Sequence, residues 1–84
     1  MTEDDIRKGY LEELVRVAPD LDPATIMGSD HLQDDLELDS MDVLNLVIAL
    51  AKRFGIDIPE ADYPQIATAD LAAPFIAQRM AGKV

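Results

Sequence analysis

Hydrophobic side chains recur at helical spacing in the first part of the chain. Between Thr2 and about Val17 they lie on one face of a helix, at Ile6, Tyr10, Leu14 and Val17. Thr2 and Asp5 resemble a capping box in which Asp takes the usual place of Glu. Pro19 follows and discourages continuation of a helix. The pattern therefore predicts a first helix from Thr2 to about Val17.

A second periodic segment, Ser40 to Phe54, is apolar on more than one side. One stripe consists of Leu46, Val47, Leu50 and Phe54. A second stripe on an adjacent face consists of Met41, Leu44 and Ile48. Either this helix is central and buried, or its second stripe is an exposed contact surface. Gly55 follows the segment and suits its C-terminal cap.

Two shorter helical segments are predicted in the C-terminal part. Residues 60–66 predict a short turn of helix, limited by a proline. A last helix, capped by Thr68 or Asp70, is expected to end near Met80. Because Pro74 is tolerated in a first turn but not in a helix interior, it favours a start near Asp70, or else a kink.

The connection between the two long helices, residues 19–39, is acidic and contains no Lys or Arg. Asp22 and Pro23 resemble a cap and a first-turn proline, which predicts a short helical turn through Ile26. A loop of this length in a small domain is usually functional when ordered. An EF-hand loop starting at Asp35 fails, because serine stands where glycine is needed and leucine where glutamate is needed. We therefore expect no dedicated metal site.

Composition narrows the functions further. The chain has 84 residues, enough for one domain spanning residues 1–84, and its formal net charge is −10. Nucleic acid is a poor partner for so acidic a chain, whereas a basic protein surface suits it. The 49% hydrophobic content, arranged periodically, argues against disorder.

Cysteine is absent, so the chain has no disulfide framework and no thiol nucleophile. The single histidine, His31, is expected to be a solvated polar residue, and it argues against a hydrolase triad. The acidic N-terminus is unlike a signal or transit peptide, and the longest uncharged apolar stretch, residues 43–51, is too short to span a bilayer. The absence of cysteine suits a reducing cytoplasm, which is the expected location, and the chain is expected to be a monomer.

Three segments resemble the acyl carrier protein family. The run Asp35-Leu36-Glu37-Leu38-Asp39-Ser40-Met41 is similar to the family signature Asp-Leu-Gly-x-Asp-Ser-Leu, which also precedes an amphipathic helix. Residues 54–59 match the family connector Phe-Gly-Ile-x-Ile-Pro, and residues 66–68 match its Ile-Thr-Thr before the last helix. The segments are collinear and cover essentially the whole chain. The resemblance implies an all-α four-helix bundle with a long first loop and a short third helix.

The resemblance implies that Ser40 is the attachment point of 4′-phosphopantetheine, moved from coenzyme A by a separate phosphopantetheinyl transferase. The thiol would arrive on this arm, consistent with the absence of cysteine, and acyl groups would be carried on it as thioesters. The chain itself would catalyse nothing. It would serve enzymes of lipid or polyketide-type synthesis.

The resemblance also implies a docking surface. Asp39 and Asp42 match acidic positions that family members present to basic patches on partner enzymes. The adjacent apolar contacts correspond to Met41, Leu44 and Ile48. Four further apolar residues are then expected in the core, where they are also candidates for lining a site for the acyl chain: Leu46, Val47, Leu50 and Ile66.

Departures from the family pattern predict a specialised carrier. Glu37 replaces a glycine, and because glycine permits backbone conformations closed to Glu, we expect the turn into Ser40 to differ. Asn45, Ala51, Lys52 and Arg53 stand where carriers of fatty-acid synthesis place carboxylates. Docking to the usual fatty-acid enzymes is therefore expected to change.

Two other functions fit the same residues. The first is an aminoacyl or peptidyl carrier, which the Asp before Ser40 modestly disfavours. The second is an acidic helical adaptor that docks on a basic partner with Ser40 unmodified. In that case Asp39 or Ser40 would be no more than a helix cap.

Overall fold

The structure, a computed structural model, describes residues 2–82 and is helical throughout its regular elements. Three α-helices, α1 (Glu3–Val17), α2 (Ser40–Phe54) and α3 (Ala69–Ala81), are joined by a 3₁₀ helix (Glu60–Ile66) between α2 and α3. The predicted four-helix bundle with a short third helix is confirmed. The long first loop covers residues 18–39.

The capping box predicted for α1 is present. The Thr2 hydroxyl accepts the Asp5 N–H at 3.2 Å, and the Asp5 carboxylate accepts the Thr2 N–H at 3.2 Å. The bond from the Thr2 backbone, helped by the Thr2 hydroxyl, lowers the pKa of Asp5. Local side-chain chemistry thus sets where α1 begins, as the sequence indicated.

The turn predicted after Asp22 is present, although it ends at Thr25, one residue before Ile26. Asp22 accepts the amides of Ala24 (Oδ1, 2.9 Å) and Thr25 (carbonyl, 3.0 Å), which closes a single turn. The chain then leaves the helical path, because the Met27 N–H donates to Asp30 Oδ2 at 2.8 Å instead of to a carbonyl one turn back. The predicted turn is therefore confirmed as a single turn, and it stops before Ile26 because the Asp30 side chain accepts the Met27 amide.

The last helix begins one residue from the expected position near Asp70, and Thr68 is the one of the two predicted caps that is used. Thr68 is the cap, its hydroxyl accepting the Leu71 N–H at 3.1 Å, and α3 begins at Ala69. Pro74 therefore lies in the helix interior and leaves the Asp70 carbonyl without its intrahelical donor. Both residues are exposed, so water can take the place of that donor.

The core is formed where α1 packs against both α2 and α3. Its fully buried large side chains are Ile6, Tyr10, Leu14, Leu32, Leu46, Leu50, Ile66 and Ile76. The Tyr10 hydroxyl donates to the Ile66 carbonyl at 2.8 Å, and burial raises the pKa of Tyr10. This bond joins α1 to the end of the 3₁₀ helix inside an otherwise apolar interior.

Close contact between α1 and the end of α2 depends on Gly9. A Cβ atom at this position would lie 2.8 Å from Phe54 Cζ and 2.9 Å from Arg53 Nε. The Arg53 guanidinium also forms ion pairs with the carboxylates of Glu12 at 2.6 Å and Glu13 at 2.7 Å. The C-terminal end of α2 is therefore fastened to α1 by packing and by two ion pairs.

Candidate functional site

Ser40 is the first residue of α2 and is exposed to solvent. The helix cap is the residue before it, since Asp39 Oδ1 accepts the Asp42 N–H at 2.8 Å. Within residues 2–82 the Ser40 hydroxyl forms no hydrogen bond. The structure thus assigns capping to Asp39 and leaves the Ser40 oxygen available for chemistry.

Glu37, which stands where the family pattern has glycine, has an unusual backbone conformation. It adopts φ 60°, in the left-handed region that favours glycine, and it is the one non-glycine residue within residues 2–82 that does so. Glu37 thus adopts at this turn a backbone conformation that glycine adopts without strain. An L side chain in this region costs roughly 1–2 kcal/mol. This strained residue lies three positions before Ser40.

A groove of about 480 Å³ adjoins Ser40. Its walls come from the loop, the first turn of α2, the 3₁₀ helix and the start of α3. The apolar lining consists of Leu32, Val43, Tyr63, Pro64, Ala67 and Leu71. The polar lining consists of His31, Gln33, Glu60 and Ser40 itself. A mainly apolar groove with a few polar groups is typical of small-molecule sites.

The loop wall of this groove is held by a defined set of hydrogen bonds. His31 Nδ1 accepts the Gln33 and Asp34 amides at 3.2 Å and 3.3 Å. The Leu32 N–H donates to the Ala67 carbonyl at 2.9 Å, which ties the loop to the segment before α3. The His31 side chain is 37% exposed, as a solvated polar residue should be, and it also holds the loop through these two hydrogen bonds.

The predicted docking residues form a surface along α2. Met41, Leu44 and Ile48 are 63%, 37% and 56% exposed, so the second stripe of the sequence pattern is a surface feature. Asp39 is exposed and Asp42 is partly exposed at the serine end of this stripe. Neighbouring exposed apolar side chains of this kind are common at protein interaction sites.

The four residues predicted as core or acyl-chain lining are all buried. Leu46, Leu50 and Ile66 are completely inaccessible and Val47 is nearly so. None of the four borders the groove beside Ser40. The groove residues were missed because most of them are far from Ser40 in sequence. The apolar contacts that bring the loop and the 3₁₀ helix together are not visible as a motif.

Metal and membrane features are also absent from residues 2–82. The described residues hold no cluster of three or more His, Asp or Glu side chains suited to a metal ion. No described helix combines the length and the apolar character needed to cross a bilayer.

Comparison with known proteins identifies the family. Residues 9–72 match the family model described as a phosphopantetheine attachment site. Because the match covers most of the chain, the protein belongs to this family, whose cofactor is covalently attached phosphopantetheine. The geometry at Ser40 fits that group. Its hydroxyl is free, and the N-terminus of a helix favours the negative charge of a phosphate.

Several relatives carry the name acyl carrier protein. Mitochondrial acyl carrier protein 2 of Arabidopsis thaliana is 38% identical over 63 residues, which is 75% of this chain and 50% of that protein. The mitochondrial acyl carrier protein of Neurospora crassa is 40% identical over 55 residues (66% and 41%). Acyl carrier protein AcpXL of Rhizobium etli is 40% identical over 53 residues (63% and 58%). The matches thus span about half the length of these relatives.

A solved structure supports the fold. The acyl carrier protein of Enterococcus faecalis superposes with a TM-score of 0.72 and covers 94% of this chain and 99% of its own. Its sequence identity is 23%, so the likeness concerns the arrangement of helices alone.

Proposed function

We propose that the chain is an acyl carrier protein that holds its cargo on a 4′-phosphopantetheine arm at Ser40. The observation that carries this proposal is the free, exposed Ser40 hydroxyl at the start of α2, spared from capping by Asp39. Membership of the phosphopantetheine attachment-site family supports it. The chain acts as a substrate and carrier for other enzymes and is not itself a catalyst.

Attachment of the arm requires a second protein. The Ser40 oxygen forms a phosphodiester, the pyrophosphate bond of coenzyme A breaks, and adenosine 3′,5′-bisphosphate leaves. The proton of the Ser40 hydroxyl goes to a base of the transferase, because within residues 2–82 no side chain bonds this hydroxyl. A metal ion on the transferase stabilises the phosphate charge.

The groove beside Ser40 is the proposed resting place for the cargo end of the arm. Its lining is mainly apolar, which suits an acyl chain, and it adjoins the attachment point. We assign the acyl chain to this groove and not to the four core residues suggested by sequence, because those four are buried and do not border the groove. Val43 and Leu71 line the groove from α2 and α3.

The exposed face of α2 is the proposed docking surface for partner enzymes. Asp39 and Asp42 supply negative charge close to Ser40, and the apolar stripe lies beside them. A basic partner surface would gain speed of encounter from the charges and affinity from the apolar contacts. Docking here would place the partner's active site next to the arm.

The acyl type is favoured over an aminoacyl carrier because the three relatives described above are named as acyl carriers. Lipid or polyketide-type synthesis is the proposed setting. We place the protein in the cytoplasm because a cysteine-free chain suits a reducing compartment, although two of the relatives are mitochondrial by name. Cell fractionation with an antibody to the protein tests the location.

The experiment uses the absence of cysteine. Because the chain has no thiol of its own, a thiol reagent reads the arm directly. Incubation with coenzyme A, Mg²⁺ and a broad-specificity transferase, followed by removal of coenzyme A, should give one thiol per chain. Ser40→Ala should give none. A wild-type protein that stays thiol-free beside a working control carrier would leave the unmodified adaptor as the function.

The cargo is then tested on the thiol-bearing protein. An acyl-activating enzyme with ATP and a fatty acid should consume the thiol by forming a thioester, which hydroxylamine then cleaves. An amino-acid-activating enzyme supplied with its amino acid should not. The reverse result would identify an aminoacyl carrier.

A further inference from the structure

The exposed face of α2 changes its character along its length. Residues 41, 44, 48 and 52 follow one another on one side of the helix at intervals of three or four residues, and residue 45 lies beside them, four positions after residue 41 and three before residue 48. At the serine end the face is bordered by Asp39 and Asp42. Its middle is apolar or uncharged, and at its far end stands Lys52, which is exposed.

Lys52 supplies the positive charge at the far end of this face. Its neighbour Arg53 turns toward α1, where it bonds Glu12 at 2.6 Å and Glu13 at 2.7 Å. The charge of Arg53 is therefore matched within the protein. Lys52, by contrast, forms no ion pair with any residue in the range 2–82. A partner that lies along α2 would meet an unmatched positive charge there.

We infer that α2 docks on a partner whose surface is bipolar: basic opposite Asp39 and Asp42, apolar opposite Met41 and Ile48, and acidic opposite Lys52. The two charged ends are separated by ten residues, or about 15 Å at the helical rise. This inference rests on the proposed carrier function and adds the charge pattern of the partner. It follows from electrostatic complementarity, since like charges brought face to face oppose binding.

The same charge pattern excludes partners. An enzyme whose carrier-binding surface is basic along its whole length would match the serine end but repel Lys52. Specificity often depends on such a repulsive element as well as on attraction. Lys52 thus acts as a selectivity residue, distant from Ser40 and without a part in the attachment chemistry.

The first test uses a fatty-acid chain-elongating enzyme with a uniformly basic carrier-binding surface. The KM for the loaded, acylated protein is compared between wild type, Lys52→Glu and Lys8→Glu. Lys8 is exposed on α1, outside the proposed face of α2, and its substitution provides the same change of charge. Lys52→Glu should lower KM about threefold or more, the size expected when repulsion at an exposed pair becomes attraction. Lys8→Glu should give less than half of that change.

The second test changes the charge on the enzyme that opposes Lys52. The basic residue that faces position 52 is changed to Glu, and the KM order should invert, with wild type now better than Lys52→Glu. Equal effects of the two lysine substitutions, or no inversion, would overturn the bipolar surface. A protein that acquires no thiol at Ser40 would instead overturn the carrier function on which the inference rests, so the two failures are distinguishable. Far-ultraviolet circular dichroism confirms that the variants remain folded.

Discussion

The two ends of α2 are built in opposite ways. At its start, Ser40 is exposed and its hydroxyl is unbonded, while the cap is supplied by Asp39. At its end, Arg53 bonds two carboxylates of α1, Phe54 is buried against Gly9, and Gly55 closes the helix at φ 64°. The contacts of Arg53 and Phe54 hold the C-terminal end of α2 on α1. The N-terminal end needs no contact from Ser40, so the Ser40 hydroxyl stays available for attachment.

The largest expected effect comes from loosening the fastened end. Arg53→Ala removes the bonds to Glu12 and Glu13, and it leaves the Glu13 side chain, which is 8% exposed, with the more distant Arg16 at 3.8 Å as its remaining partner among residues 2–82. Because Arg16 at 3.8 Å is too far for a hydrogen bond, the buried carboxylate loses its close donor, which should lower the free energy of unfolding by about 1–3 kcal/mol. Urea denaturation measures the loss.

Lys52→Ala is the matched control for that experiment, since Lys52 is exposed on the same turn of α2. Its effect should stay within about 0.5 kcal/mol. Equal losses for the two variants would mean that the ion pairs of Arg53 do not hold this end of α2.

At the serine end, the two neighbouring residues should differ in their effect on stability. Asp39→Ala removes the cap and should lower the unfolding free energy by about 1 kcal/mol. Ser40→Ala removes a hydroxyl that has no partner within residues 2–82 and should change it by less than about 0.5 kcal/mol. Thermal and urea unfolding compare the pair. A larger loss for Ser40→Ala would show that Ser40 is the cap after all.

A substitution at Glu37, three residues before Ser40, should raise the free energy of unfolding instead of lowering it. Glu37→Gly relieves a left-handed L-residue and should stabilise the protein by about 1 kcal/mol. Asp34→Gly, in the same loop but without a positive φ, should destabilise by several tenths of a kcal/mol because the unfolded chain gains freedom. Urea midpoints for the two variants should therefore move in opposite directions. A destabilised Glu37→Gly would contradict the assigned backbone.

The smallest effect is electrostatic. With a net charge of −10, repulsion opposes the compact state, and its acidic loop carries much of that charge. Raising NaCl from about 10 mM to about 0.2 M shortens the screening length and should raise the urea midpoint. An unchanged or lower midpoint would show that repulsion does not limit stability.

Much of the fold could be predicted because its signals are local. The capping box of Thr2 and Asp5, and the left-handed Gly55, specify helix ends through residues a few positions apart. Pro74 lies in the interior of α3, where its helix-breaking tendency would not predict it. Burial of Ala72, Ala73 and Ile76 on either side of it stabilises the helix and outweighs that tendency.

The site was only partly predictable for the same reason. Ser40 stands in a short motif, whereas the groove beside it depends on contacts between distant segments. The inward turn of Arg53 could not be anticipated from α2 either. It requires Gly9 to leave space and Glu13 to lie on the facing turn of α1, which only the packed structure brings together.

Intact-mass spectrometry after incubation with coenzyme A, Mg²⁺ and a broad-specificity transferase tests the central claim most directly. The chain has two serines, so Ser29→Ala in the exposed loop is the natural control for Ser40→Ala. The account predicts the mass of one phosphopantetheine on wild type and on Ser29→Ala, and none on Ser40→Ala. A mass gain retained by Ser40→Ala, or absent from folded wild type beside a working control carrier, would contradict it.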